Sequence, residues 1–206
     1  MSQIDTLFAT KVYRADLADA RAAELNDELK TACLSIAKDD RAGREWCREH
    51  GYAGYTSYAS LNDLPRRAPA FAELTRRLDK HAAAFARDLH FDLGKKKLAL
   101  DSLWINILKS GGVHTAHIHP HSVISGTYYV ATPKGSSSLK LEDPRLGLMM
   151  ASPPRKESAP ADSRPFVYLE PRQGTLVLFE SWLRHEVPSN RSREDRISIS
   201  FNYAWS

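Results

Sequence analysis

Cysteine is nearly absent from this 206-residue chain: Cys33 and Cys47 are the only two, and they form no Cys-x-x-Cys pair. That excludes a disulfide framework, a cysteine-rich zinc cluster and a dithiol redox centre. Long apolar runs are missing as well. No window approaches the roughly 18 consecutive apolar residues of a membrane helix, and the opening stretch MSQIDTLFATKVYRADL carries acids where a signal peptide would be unbroken and apolar. A cytoplasmic protein without membrane contact is expected. Charge of one sign is nowhere concentrated: 29 Lys and Arg are interleaved with 25 Asp and Glu, for a net +4. Such a balance permits an anionic ligand without arguing for nucleic acid. No internal repeat is present, and an apolar content of 42% is ordinary for a globular chain.

The length suits one domain, 1–206, of mixed α+β character, with a mainly helical part over 1–96 and a β-rich core over 97–206. Ala18, Ala22, Leu25, Leu29, Cys33 and Ile36 recur at steps of three and four, which predicts an amphipathic helix from about Asp16 to Ala37. Phe71, Leu74, Leu78, Ala82, Phe85 and Leu89 repeat the rhythm from Pro69 to about His90. Both apolar stripes read as core, and Arg66, Arg67, Arg76, Arg77 and Lys80 as a solvated face. Residues 41–65 lack a sustained period and read as irregular, with one short strand around Tyr55 to Tyr58.

From Leu98 the pattern becomes period two. Strands are predicted at Leu98–Leu108, Ser125–Thr132, Ser138–Leu141, Phe166–Leu169, Thr175–Phe179 and Arg196–Tyr203, separated by Gly, Pro and Ser clusters. Short strands so spaced fold over one another as a sandwich or jelly roll. Asp143–Pro165 interrupts them with five of the eleven prolines and is expected to be a long loop, a candidate lid over the site.

Four histidines, His114, His117, His119 and His121, fall within eight residues, and His185 follows far downstream. In an extended chain residues i and i+2 share a face, so His117 and His119 direct two imidazoles to one point, the local geometry of a metal site. His185 is the remaining histidine of the β-rich half and the natural third ligand. His121 could replace one of the pair, although Pro120 disturbs the strand before it. In the alternating stretch from Arg196 to Tyr203, Arg196 and Ser198 stand on one face, where an arginine fork can take a carboxylate bidentately. The competing reading of Arg196 is an ion pair with Glu194 or Asp195.

Taken together, His117-x-His119, the string Ser125-Gly126-Thr127-Tyr128-Tyr129-Val130, the run Pro171 to Phe179, and His185 with Arg196-x-Ser198 resemble the Fe(II)- and 2-oxoglutarate-dependent oxygenases. They are most similar to an uncharacterised bacterial and phage branch with a His-x-His-Pro…Ser-Gly-x-Tyr-Tyr-Val string. The similarity spans roughly Trp104 to Tyr203, about half the chain. It implies a double-stranded β-helix, a cupin-like jelly-roll barrel, backed by the N-terminal helices. By the same resemblance His117, His119 and His185 are iron ligands, and Arg196 with Ser198 binds the distal carboxylate of 2-oxoglutarate. Asn106 and Tyr128 are further cosubstrate contacts. The implied reaction oxidises a substrate C–H bond with O2 while 2-oxoglutarate yields succinate and CO2. The superfamily's motif is His-x-Asp or His-x-Glu, and here His119 holds the middle position, with Glu142 or Asp143 available to supply a carboxylate instead. A cupin-like three-histidine metalloenzyme that does without 2-oxoglutarate, and a non-catalytic metal- or 2-oxoglutarate-binding protein, are the alternatives. The substrate is left open among a small molecule, a peptide and a nucleic acid, and exposed sheet edges allow a homodimer.

Overall fold

Alternation from Leu98 onward does produce strands, and several more form where no alternation announced them. The computed structural model describes residues 1–206. In chain order the elements are β1 (Val12–Asp16), α1 (Ala22–Asp39), α2 (Arg41–Glu49), β2 (Gly54–Thr56), α3 (Leu64–Arg67) and α4 (Pro69–Asp88). They continue as β3 (Leu98–Leu108), β4 (His114–His117), β5 (Ile124–Ala131), β6 (Leu139–Glu142), β7 (Phe166–Leu169), β8 (Thr175–Glu180), β9 (His185–Val187) and β10 (Arg196–Trp205). A six-stranded sheet runs β1-β8-β5-β10-β3-β2 and a four-stranded sheet runs β4-β9-β6-β7. Every neighbouring pair is antiparallel. The fold is a double-stranded β-helix in which helices cover one sheet.

The alternating side chains divide the larger sheet into two faces. Leu103, Ile105 and Ile107 of β3, Leu176 and Leu178 of β8, and Ile197, Ile199, Phe201 and Tyr203 of β10 form one core with Leu25 and Leu29 of α1 and Phe71, Leu74, Leu78 and Phe85 of α4. The stripes read from the sequence are therefore core, apart from Ala18, which precedes the helix and is exposed. Full burial of each such side chain contributes about 1.5–3 kcal/mol. A smaller cluster on the opposite face, with Leu108, Val177 and Phe179 meeting Leu139, Leu141 and Val187, joins the two sheets.

Two expectations change, and the long loop over 143–165 is as expected. The first helix starts at Ala22, not Asp16, because Asp16 ends β1 and pairs with Thr175 of β8. The stretch 41–65 is ordered rather than irregular. Asp40 caps α2 by accepting from the Gly43 N–H at 3.0 Å, and the same carboxylate accepts from the Tyr55 and Ser60 hydroxyls, which ties the helix to the turn after β2. Gly54, at φ +147°, lies so close to the Ile107 carbonyl that a side chain there would overlap the neighbouring strand. Residues 143–165 hold only two short 3-10 turns, Leu146–Leu148 and Ala161–Ser163.

Candidate active site

The two sheets enclose a cavity of about 650 Å3. Its floor on the larger sheet follows from parity: residues opposite in phase to the apolar core of β3, β5 and β10 point inward, namely Trp104 and Asn106, Thr127 and Tyr129, and Arg196, Ser198 and Ser200. The smaller sheet contributes His114, His117, His185 and Val187.

His117, His119 and His185 come together there, with one nitrogen from each lying within 4.8 Å of the others. Strand pairing does this, since His117 of β4 stands opposite His185 of β9. His119 follows β4, held by its N–H to the Ser181 carbonyl at 2.9 Å. The ring of His117 turns its Nδ1 to the Thr115 carbonyl at 2.6 Å, and that of His185 turns its Nδ1 to the Leu183 carbonyl at 2.8 Å. A carbonyl only accepts, so both Nδ1 atoms carry hydrogen and both Nε2 lone pairs are free. Burial first, and His117 nearby, push the pKa of His185 down to about 3, and burial pushes that of His119 down to about 4. Neutral imidazoles with fixed tautomers are what a divalent metal requires. The residues therefore fit a metal ion. Ser181, Ser125 and Asn202 form a hydrogen-bonded chain behind the cluster that ends 3.5 Å from His119 Nδ1.

No carboxylate joins them. Glu142 lies beside Arg184, Asp143 is paired with Arg145, and neither reaches the cavity. Leu139 and Leu141 take the inward positions of β6, so Glu142 falls in the outward phase. His121 is exposed and stays outside, and none of residues 143–165 lines the cavity.

Arg196 is 2% exposed. Its Nη1 donates to Ser198 Oγ at 3.2 Å, its Nε has no partner, and its guanidinium stands 5.2 Å over the Tyr129 ring. Neither Glu194 nor Asp195 pairs with it, and no other acid does. Burial presses its pKa downward. A buried cation without a counterion is costly unless an anion arrives.

Asn106 lines the cavity between Thr56, whose hydroxyl donates to its Oδ1 at 2.9 Å, and Ser200, which accepts from its Nδ2 at 3.0 Å. Tyr128 does not reach it. Its ring is fully buried toward the helices, and its hydroxyl donates to Asn26 Oδ1 at 3.0 Å. Tyr129 takes the inward place, its hydroxyl buried without a partner. Sequence reasoning also missed the wall built by α2 and the β2 segment: Trp46, His50, Tyr52, Thr56 and Tyr58. Tyr52 meets His114 Nε2 at 2.7 Å, and burial together with Arg196 pushes the pKa of His114 down to about 3.

Residues 102–202 match the model of a family described as "Putative 2OG-Fe(II) oxygenase". This stretch belongs to the 2OG-Fe(II) oxygenase superfamily. No curated protein matches it significantly in sequence. Among solved structures, a prolyl-4-hydroxylase from Pseudomonas putida is similar over 96% of this chain and 93% of its own, at 14% identity and a TM-score of 0.56. The epimerase SnoN from nogalamycin biosynthesis, in complex with Fe3+, alpha ketoglutarate and nogalamycin RO, is similar over 95% and 79%, at 16% identity and a TM-score of 0.61. An oxidoreductase of the 2OG-Fe(II) oxygenase family from Burkholderia pseudomallei overlaps 54% of this chain, which spans 47% of that one, at 16% identity and a TM-score of 0.40.

Proposed function

We propose that the protein is an Fe(II)- and 2-oxoglutarate-dependent oxygenase in which His117, His119 and His185 hold the metal and Arg196, assisted by Ser198, anchors the distal carboxylate of 2-oxoglutarate. One observation carries the reading: a single cavity without any acid holds three converging imidazoles and one buried arginine lacking a counterion. Such a cavity is charged to receive a dicarboxylate. When bound, iron, 2-oxoglutarate and O2 supply the oxidative chemistry of the superfamily, which oxidises a substrate C–H bond and yields succinate and CO2.

The chain's own contributions are three. His117 and His185 stay in the tautomer that presents Nε2, because Thr115 and Leu183 hold the other nitrogen. Arg196 and Ser198 orient an anion, with the Tyr129 hydroxyl beside them and Asn106 fixed by Thr56 and Ser200 as a polar wall. The sheets and the α2–β2 wall restrict water around the reacting centre. With three neutral ligands the metal retains its full double charge, which strengthens its hold on an anionic cosubstrate.

The test is anaerobic reconstitution with Fe(II) followed by titration with 2-oxoglutarate, watched for a visible charge-transfer band. The band is expected in the wild type and lost in Arg196→Ala and His117→Ala. Metal uptake without a band, indifferent to Arg196→Ala, would favour a three-histidine metalloenzyme that does not use 2-oxoglutarate, a reading to which His119 in place of a carboxylate lends some support. A cytoplasmic location is also proposed, supported by two free, buried thiols. No helix is long and apolar enough to cross a membrane.

A further inference from the structure

The cavity walls also constrain what can reach the histidines from solvent. Among its lining side chains Arg196 is the one fixed charge; no aspartate, glutamate or lysine takes part. If Arg196 is matched by the cosubstrate, a second charged group entering this space sheds its hydration and meets no partner.

From His119 a run of rings leads outward. The Trp104 ring centre lies 5.9 Å from that of His119, and Tyr58 follows at 5.3 Å from Trp104, edge-on at 68°. Trp104 is 8% exposed and Tyr58 62%. Trp46, stacked on His50 at 4.2 Å, lines the same cavity. The position of Tyr58 is set by rigid backbone. It sits in a turn where the N–H groups of Ser60 and Leu61 both bond the Ser57 carbonyl, at 3.1 and 2.9 Å. Ser57 itself is fully buried, its N–H bonded to the Ile105 carbonyl at 3.1 Å and its Oγ accepting from the Ile105 N–H at 3.0 Å. A large ring held out in water on a fixed turn, one ring from a buried tryptophan and two from the histidine cluster, leaves an aromatic face that a flat partner would cover.

We propose that the substrate presents an uncharged planar group, aromatic or conjugated, which seats against Tyr58 and Trp104 and so brings its edge to the histidine cluster. The proposal rests on the oxygenase reading for the location of the chemistry and adds the class of substrate. Four features of the cavity agree with it: absent acids, absent lysines, a graded run of rings, and a volume of about 650 Å3 that accommodates a ring system.

Binding is to be measured by saturation-transfer NMR on the chain as purified, without added metal or cosubstrate, using three small probes. Indole-3-acetamide is neutral and planar, tryptamine carries the same ring on a cation, and cyclohexylacetamide is neutral but not planar. Indole-3-acetamide is expected to bind at least fivefold more tightly than either of the others. Tyr58→Ala should weaken it threefold or more, and Tyr58→Phe, which keeps the ring, should restore it. Tyr58 is exposed, so its loss leaves the core intact. Equal binding of tryptamine or cyclohexylacetamide, no binding of indole-3-acetamide, or indifference to Tyr58→Ala would each overturn the proposal. Failure of the oxygenase reading appears separately, as a missing charge-transfer band, because no probe here depends on iron or 2-oxoglutarate.

Discussion

Tyr128 and Tyr129 are adjacent in sequence and opposite in fate. Tyr128 shares its phase with Ile124 and Val130, all three fully buried among the helices, whereas Tyr129 shares its phase with Ser125 and Thr127 and faces the cavity. The apolar partners of Tyr128 carried that information in the sequence, but a tyrosine suits either side of a sheet, so the residue type alone did not decide. The difference is measurable. Tyr128→Phe is expected to leave 2-oxoglutarate affinity within twofold of wild type while lowering stability by about 1–3 kcal/mol, because Asn26 Oδ1 loses a buried donor. Tyr129→Phe should weaken 2-oxoglutarate binding roughly tenfold, the effect of losing one hydrogen bond to a charged group. Titration of the charge-transfer band and urea unfolding separate the two. The nearness of His117 to His119 was legible from their i, i+2 spacing, and the shared face of Arg196 and Ser198 from the alternation of their strand. The partnerless state of Arg196 was not legible, since Glu194 and Asp195 precede it and only the fold turns them away.

Among the elements, the long strands declared themselves and the short ones did not. β3, β5 and β10 hold enough alternating residues for their period to emerge. β4 and β9 have 4 and 3 residues, and they form only through partners distant in sequence, β9 lying between β4 and β6. β1 is an edge strand with one neighbour, and α2 is a charged helix fixed by the Asp40 cap rather than by an apolar stripe. Such elements depend on contacts distant in sequence, which a local pattern does not encode. In the centre of the larger sheet, Gly126 of β5 lies between Phe201 of β10 and Leu178 of β8. A Cβ there would stand 2.6 Å from both the Phe201 ring and the Val177 carbonyl. The carbonyl belongs to the ladder and has little room to yield. Gly126→Ala is expected to cost about 1–3 kcal/mol, read as a lower urea midpoint with an unchanged slope.

For the molecule as a whole, helical and β-rich halves describe composition better than architecture. β1 and β2 come from the first half yet form the two edges of the larger sheet, and the α2–β2 wall belongs to the same cavity as the histidines. Stability should reflect the buried imidazoles within that cavity. Unfolded histidines take up a proton near pH 6.5, whereas His114 and His185 in the fold resist it until about pH 3 and His119 until about pH 4, in each case chiefly through burial. Below pH 6.5 the unfolded chain therefore binds more protons, so stability falls as pH falls. The slope is up to about 1.4 kcal/mol per pH unit for each such histidine. Urea midpoints of chelator-treated protein from pH 7.5 to 4 should be flat above about 6.5 and decline below it. A flat profile throughout would mean that these rings are hydrated.

β1 also bears on the order of events at the ribosome. Val12–Asp16 emerges early but is paired by Thr175–Phe179, and Leu98–Leu108 is paired by a strand that ends at Trp205. The apolar faces of α1 and α4 thus leave the exit tunnel well before the sheet that covers them exists. At synthesis rates of about 5–20 residues per second, the delay is on the order of ten seconds. During that interval the nascent chain displays two amphipathic helices whose sheet-facing sides are uncovered, the kind of surface that chaperones bind, so its yield in cells should depend on early holding factors more than its final stability would suggest.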